Sequence, residues 1–226
     1  MRELSAPEGA QFVPADALPP GENYEAFIER TGTVPTRDNL HDFFNAQVWR
    51  RFPQAKRRMN ALHVAELSAP HAPPGRRGPL RDALTVFDEN GAVLHAPVEL
   101  WHALQVRAWQ RLFIDLRPLW QQARLTLVGH ALLEQLTVAP RKPLTAHVLC
   151  APAPADEAAL DAWLAGRLHD ADWLRTKPFT PLPVLGVPGW CKENTNFSFY
   201  DDSAIFRPRR APENNTRQGN SAIGTA

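Results

Sequence analysis

A chain of 226 residues, 44% apolar and 22% charged, has the composition of a globular protein and buries about 70% of its unfolded surface without needing a staple. Its net charge of +1 excludes a broad electrostatic footprint for nucleic acid or for an anionic membrane. Cys150 and Cys191 have no CxxC partner, which excludes a zinc knuckle and a dithiol redox motif.

Residues 1–23 are rich in Pro and Gly and predict an extended N-terminal arm. They contain no apolar h-region, so no signal peptide is expected, and the cytoplasm is the expected location. No stretch reaches the roughly 18 apolar residues of a membrane span. YEAFIERTG (24–32) predicts a short helix stopped by Gly32. VPTRDN supplies turn chemistry, with Asp38 or Asn39 as the cap of the helix that follows. That helix runs from about 39 to 52 and ends at Pro53. A second helix follows at once, with Ala55, Met59 and Leu62 on its apolar face and Lys56, Arg57 and Arg58 facing water. Two helices joined so tightly are expected to pack as a corner.

SAPHAPPGRRGPLRD reads as a long loop. In ALTVFDENGAVLH, Leu84, Val86 and Val93 flank DENG, which predicts a hairpin of strands 83–88 and 92–95. Residues 97–122 carry Leu100, Trp101, Leu104, Trp109, Leu112 and Phe113 at threes and fours, a helical period. A strand over 125–128 then passes through Gly129 into a helix opening at His130. LTAHVLCAP (144–152) is apolar enough for a central strand. Residues 156–168 predict an amphipathic helix with acids in its first turn, and TPLPVLGVPGW a proline-punctuated edge strand. The fold class expected is α/β or α+β. A single globular domain spans 24–206, with a helical N-terminal part and a mixed sheet of about four to five strands packed by helices. Residues 207–226 are expected to be a disordered tail.

Several polar residues stand beside the most apolar segments. His41 and Asn45 are four apart on one helix face, with Asp42 adjacent; Asn60 and His63 share a face of the next helix. Imidazole with carboxylate suits general acid/base work, and His41 with His63 could hold a divalent metal. The competing reading makes these residues hydrogen-bonded seams between elements. His130 stands where a strand turns into a helix, the end of an α/β sheet at which ligands bind, with Glu134 one turn on. Arg81 and Asp82 are candidates beside it, although an Asp next to arginines also reads as an ion pair. Asp88 and Glu89 are more simply hairpin residues, and His147 reads as a core residue. Residues 186–206 mix Trp190, Asn194, Tyr200 and carboxylates in one long loop, the kind that often binds; its alternative is a strap plugging aromatics into the core.

The stretches TRDNLHDFFNAQVWRRFPQAKRRMNALH, RRGPLRDALTVFDENG, LVGHALLEQL and LPVLGVPGWCKENTNFSFYDDSAIFRP together resemble an uncharacterised bacterial family, domain of unknown function 3025. The likeness covers about residues 33 to 208. It implies a single proteobacterial-type domain and transfers no activity, cofactor or residue role.

Two functions follow as expectations. One is a metal-assisted or acid/base hydrolase on a small or phosphorylated substrate. Here His41, Asp42, His63, Asp82 and His130 line one cleft, and Asn45, Asn60 and Arg81 assist binding. The other is a non-catalytic binding protein that uses Trp190 and Asn194 of the 186–206 loop. It predicts an exposed apolar patch around Trp190 and Tyr200. A small-molecule ligand is the expected partner, with neither nucleic acid nor membrane.

Overall fold

A four-stranded mixed sheet divides the molecule into two apolar halves. The computed structural model describes residues 10–68, 78–138, 143–154 and 156–209. The sheet has the order β4-β3-β5-β6, with β3 Gly91–His95, β4 Arg124–Leu127, β5 Thr145–Cys150 and β6 Thr180–Pro183. β3 and β5 run parallel at its centre, and β4 and β6 flank them antiparallel. Alternation along the strands sends Ala92, Leu94, Ala146 and Val148 into one core and Val93 and Leu149 into the other. Pro181 and Pro183 lie in β6. Proline cannot donate to a ladder, so that edge resists further pairing.

A smaller parallel pair lies at the N-terminus. β1 Gln11–Pro14 runs beside β2 Thr33–Thr36, with Phe12 opposite Val34. Sequence reading treats these segments as an arm and a turn. Their pairing is non-local, and neither is long enough to show a period. Between them α1 Tyr24–Thr31 starts on an Asn23 cap and stops at Gly32, whose φ of 70° needs a residue without a Cβ.

The next two helices are those expected. α2 Leu40–Arg51 is capped by Asn39, and α3 Pro53–Leu67 begins at the proline that ends α2. The first turn of α3 is closed from a distance. The buried Asp161 accepts the Gln54 and Ala55 amides, both at 2.9 Å.

The DENG hairpin does not form. Residues 79–90 are a helix, α4 Pro79–Asn90, which passes straight into β3. Leu80, Ala83, Leu84 and Phe87 are its buried face, and their spacing of three and four outweighs the shorter alternation of Leu84 with Val86. Gly91 closes this helix rather than a hairpin turn: its N–H bonds the Phe87 carbonyl. A Cβ there would lie 2.3 Å from that carbonyl oxygen, so only glycine fits. The predicted loop over 68–82 therefore ends earlier, at Gly78, and residues 69–77 lie outside the described ones.

The helical stretch 97–122 is broken into three. α5 Val98–Gln105, a wide turn at Arg111–Asp115 and a tight one at Arg117–Gln122 share it, with Arg107 at a φ of 55° in the first break. α6 His130–Val138 follows β4, and α7 Glu157–Arg167 follows β5 on an Asp156 cap. A short α8 Ala171–Arg175, missed in the sequence, leads to β6. Among the described residues no helix is long and apolar enough to cross a membrane. The segment read as a tail begins exposed at Arg207, and from residue 210 on it lies outside the described residues.

Candidate functional site

α2, α3, α4 and α6 meet around a cleft of about 580 Å³ whose wall includes His41, Asp42, Asn45, His63, Asp88 and His130. The turn before α6 decides where His130 stands. Val128 and Gly129 both donate to the Gly91 carbonyl, at 2.9 and 2.8 Å. A Cβ on Gly129 would lie 2.5 Å from the Asn90 Cα and the Glu89 carbonyl oxygen. Glycine is what allows the start of α6 to press against the end of α4. His130, buried as the first residue of α6, then lies beside Asp88.

The ring geometry fixes the protons. His130 Nδ1 is 2.7 Å from the Asp88 carbonyl oxygen, which only accepts, so Nδ1 carries a hydrogen. His41 Nδ1 is 3.1 Å from Glu134 Oε2, and an ionised carboxylate also only accepts. The two Nε2 atoms face each other at 3.1 Å with the rings edge to face. Two neutral rings with hydrogens on Nδ1 would oppose two lone pairs there. A hydrogen on either Nε2 would let that ring donate to the other. Burial pushes the His130 pKa down, against the raising pull of Asp88. His41 is the more exposed of the two, and its side chain faces Glu134.

Two residues at this wall or just behind it are misjudged by sequence reading. Lys56 does not face water: its side chain is 5% exposed, and its ammonium meets Asp88 Oδ1 at 2.5 Å and Asn45 Oδ1 at 2.9 Å, over the Trp49 ring. Asp88 is not a hairpin residue but the last turn of α4. Burial raises its pKa, yet the Lys56 charge and the neighbouring His130 outweigh burial and keep it ionised. Asn45 completes the chain by donating to the Tyr24 hydroxyl at 3.2 Å. The only sequence signal for Lys56 was its position one residue after the buried Ala55. Asp88 was hidden by the wrong element.

The other candidates divide. Asp42 is in the cleft wall, but Arg37 takes its oxygens by a backbone amide at 2.7 Å and by its guanidinium at 3.1 and 3.2 Å. Burial raises the Asp42 pKa, and those bonds more than reverse it. Its work is to fix the entry to α2. His63 lines the cleft too, with its pKa pushed down by burial and its Nδ1 buried without a partner among the described residues. Arg81 lies on the same face of α4 as Thr85 and Asp88, close enough to His63 to act on its charge, and its Nε is likewise unpartnered. Asn60 is drawn away, donating to the Glu25 carbonyl and to Glu29. Asp82 is drawn away as well and pairs with Lys177 near the surface.

Asn194 is fully buried and donates to the Leu185 and Val187 carbonyls, which makes it a brace of its own loop. Tyr200 is 3% exposed, whereas Trp190 is 39% and Phe197 49% exposed. The patch expected around Trp190 and Tyr200 is thus half missing. Most of the 186–206 segment is a strap, with Tyr200, Ile205 and Phe206 in the core. His147, mid-strand in β5, stands edge-on to Phe179 and is held neutral by burial.

As for metal, His41 and His63 face the same cleft, but among the described residues no group of three or more His, Cys, Asp or Glu side chains gathers to hold an ion. A catalytic zinc site ordinarily needs three protein ligands.

The architecture defines a single-domain α/β protein with helices on both faces of a mixed sheet and a histidine-walled cleft between four of them. The chain belongs to the family described as a protein of unknown function (DUF3025), whose model matches residues 10–210. Neither a curated protein nor a solved structure matches it.

Proposed function

We propose that the protein is a hydrolase that uses His41 and His130 as an acid/base pair on a small substrate in this cleft. The observation that carries the reading is the convergence of two Nε2 atoms at 3.1 Å with both Nδ1–H groups already committed. Such a pair can offer one acceptor and one donor at the wall of the cleft when a substrate parts the two rings. Once a substrate parts the two rings, a water beside His130 Nε2 would give it a proton while attacking the substrate, and His41 Nε2 would protonate the leaving group as its bond to the substrate breaks. Glu134 holds the His41 ring and balances its charge, and the Lys56–Asp88 pair fixes the helix end on which His130 rests.

The cleft charges also bear on the substrate. Arg37 is taken up by Asp42 and Lys56 by Asp88, which leaves Glu25 and Glu89 as the further charged residues on its wall. That balance favours an uncharged or cationic substrate over a phosphorylated one. The acid/base version is preferred to the metal-assisted one because the pair supplies both proton roles, whereas no three-ligand set is present among the described residues.

The test is turnover of a panel of p-nitrophenyl esters, aryl amides and p-nitrophenyl phosphate by the wild type, His41→Gln and His130→Gln. Loss of positioned proton transfer lowers kcat by about 10²- to 10⁴-fold, so both variants are expected to fall by that much on an ester or amide. Turnover that survives both substitutions would overturn the reading, as would a panel that yields none with the wild type.

A further inference from the structure

Below the cleft lies a smaller cavity of about 60 Å³, bounded by Tyr24, Asn45, Trp49, Lys56, His63 and Asp88 among others. Tyr24, Asn45, His63 and Asp88 also line the cleft, so the cavity is its inner end. Two of its lining residues carry a buried hydrogen-bonding atom with no partner among the described residues. Trp49 is 3% exposed, and among the described residues neither its Nε1 nor His63 Nδ1 has a hydrogen-bond partner. An unmet polar group buried in protein is a standing cost. A ligand group that supplied its partner would recover that cost on binding.

We infer that this inner cavity is a subsite for an uncharged hydrogen-bonding head group of the substrate, an amide or a hydroxyl. The indole N–H only donates, so the occupant must present an acceptor. His63, held neutral by burial, can donate or accept at Nδ1 and fits either an amide or a hydroxyl. An anion would meet the Glu25 carboxylate, with the Lys56 ammonium already engaged by Asp88. A cation would meet that ammonium, and the Asp88 carboxylate that could balance it is already taken. The size agrees: one water needs about 10–15 Å³ of such space, so the cavity takes about four non-hydrogen atoms, those of acetamide. The inference deepens the reading of the cleft as a substrate site. It concerns binding alone, so a failure here leaves the acid/base pair untouched, and a failure of turnover leaves the subsite untouched.

The experiment follows indole ¹H–¹⁵N resonances of the full-length chain while acetamide, ethylene glycol, sodium acetate or methylammonium chloride is added. Trp49→Phe assigns the resonance among the 7 tryptophans. The Trp49 signal is expected to move saturably with acetamide or ethylene glycol and to stay fixed with the two ions. His63→Leu, which removes one of the two hydrogen-bonding walls, is expected to weaken acetamide by about fivefold or more. A Trp49 signal fixed with every probe would mean a cavity filled by water only and would overturn the inference. Saturation with acetate or methylammonium in place of the neutral probes would overturn its charge class. Should Trp49→Phe not fold, a crystal soaked in acetamide decides the matter. Density bridging Trp49 Nε1 and His63 Nδ1 supports the subsite, and water alone there overturns it.

Discussion

The two faces of the sheet treat buried polar atoms in opposite ways. On the face packed by α5 and the C-terminal strap, Phe113 is fully buried in a ring of Trp109, Trp120, Tyr200 and Phe206. Every polar tip in that ring is met: Trp109 Nε1 by the Arg207 carbonyl, Trp120 Nε1 by the Leu112 carbonyl, and the Tyr200 hydroxyl by the Gly186 carbonyl. On the face packed by α2, α3 and α4, Trp49 Nε1 and His63 Nδ1 have no partner among the described residues, and a lysine is buried. The same residue type, tryptophan, is satisfied on one side and left open on the other. A fold able to satisfy its indoles has left one beside a cavity, and polar cost retained at a cavity is the pattern of a site rather than of a core.

The largest test breaks the closed face. Phe113→Ala removes the ring around which four aromatics stack, and Phe→Ala in a core costs about 3–5 kcal/mol. Urea denaturation should show that loss, while the folded fraction keeps the Trp49 and histidine resonances of the cleft unchanged. Shifts in those resonances would mean that the two faces are not independent. The matching break on the open face is Lys56→Met. It strands the Asp88 carboxylate in a site where the lysine is 5% exposed. Breaking a buried pair from one side costs about 3–5 kcal/mol, less where one partner keeps some contact with water, as Asp88 does. The double variant Lys56→Met, Asp88→Leu should recover part of it. A double variant as unstable as the sum of its singles would show that the two residues do not act as a pair.

pH should separate the faces with a smaller effect. His63, His130 and His147 all have pKa values below the ordinary imidazole value, first because of burial. Their neutral forms belong to the folded state, so their contribution is complete above about pH 6.5 and is lost as pH falls through that value. Asp42 and Asp88 are shifted down among carboxylates and hold their contribution until far more acid conditions. Stability is therefore expected to fall between about pH 7 and 5, and less steeply in His63→Leu. A flat profile over that range would remove the argument that these rings are held neutral.

How much of this could be read in the sequence depended on the range of the interaction. α2, α3 and α7 were legible because their caps and periods are local: Asn39, Pro53 and Asp156 each act within a few residues. The central place of β5 followed from its apolar run. The helix α4 was lost because DENG carries a strong hairpin signal, which hid the helical spacing of Leu80, Ala83, Leu84 and Phe87 that packs against the sheet. The β1–β2 pair joins segments about twenty residues apart and has no local mark. In the site, His41, Asn45, His63 and His130 stood out as polar residues beside apolar ones, and the structure brings all four to one cleft. Lys56 and Asp88 did not stand out, because a charged residue is by default a surface residue. Their burial depends on a partner 32 positions away.

Asp82 gives the smallest effect and the sharpest control. It was a candidate on the strength of its carboxylate and the neighbouring Arg81, yet it lies in the first turn of α4, paired with Lys177 at side-chain exposures of 43% and 50%. An exposed pair of this kind contributes about 0–1 kcal/mol, and an acid in the first turn adds a few tenths through the helix dipole. Asp82→Asn keeps the shape and removes the charge. Its unfolding free energy from urea denaturation should stay within about 1 kcal/mol of the wild type, with the His41 and His130 ring resonances unmoved. Asp88→Asn, six residues later on the same helix, should shift the His130 resonances, because its carboxylate lies 3.6 Å from the His130 ring and holds Lys56. Should Asp82→Asn move the histidines as far as Asp88→Asn does, the boundary of the site would have to be redrawn to take in the start of α4.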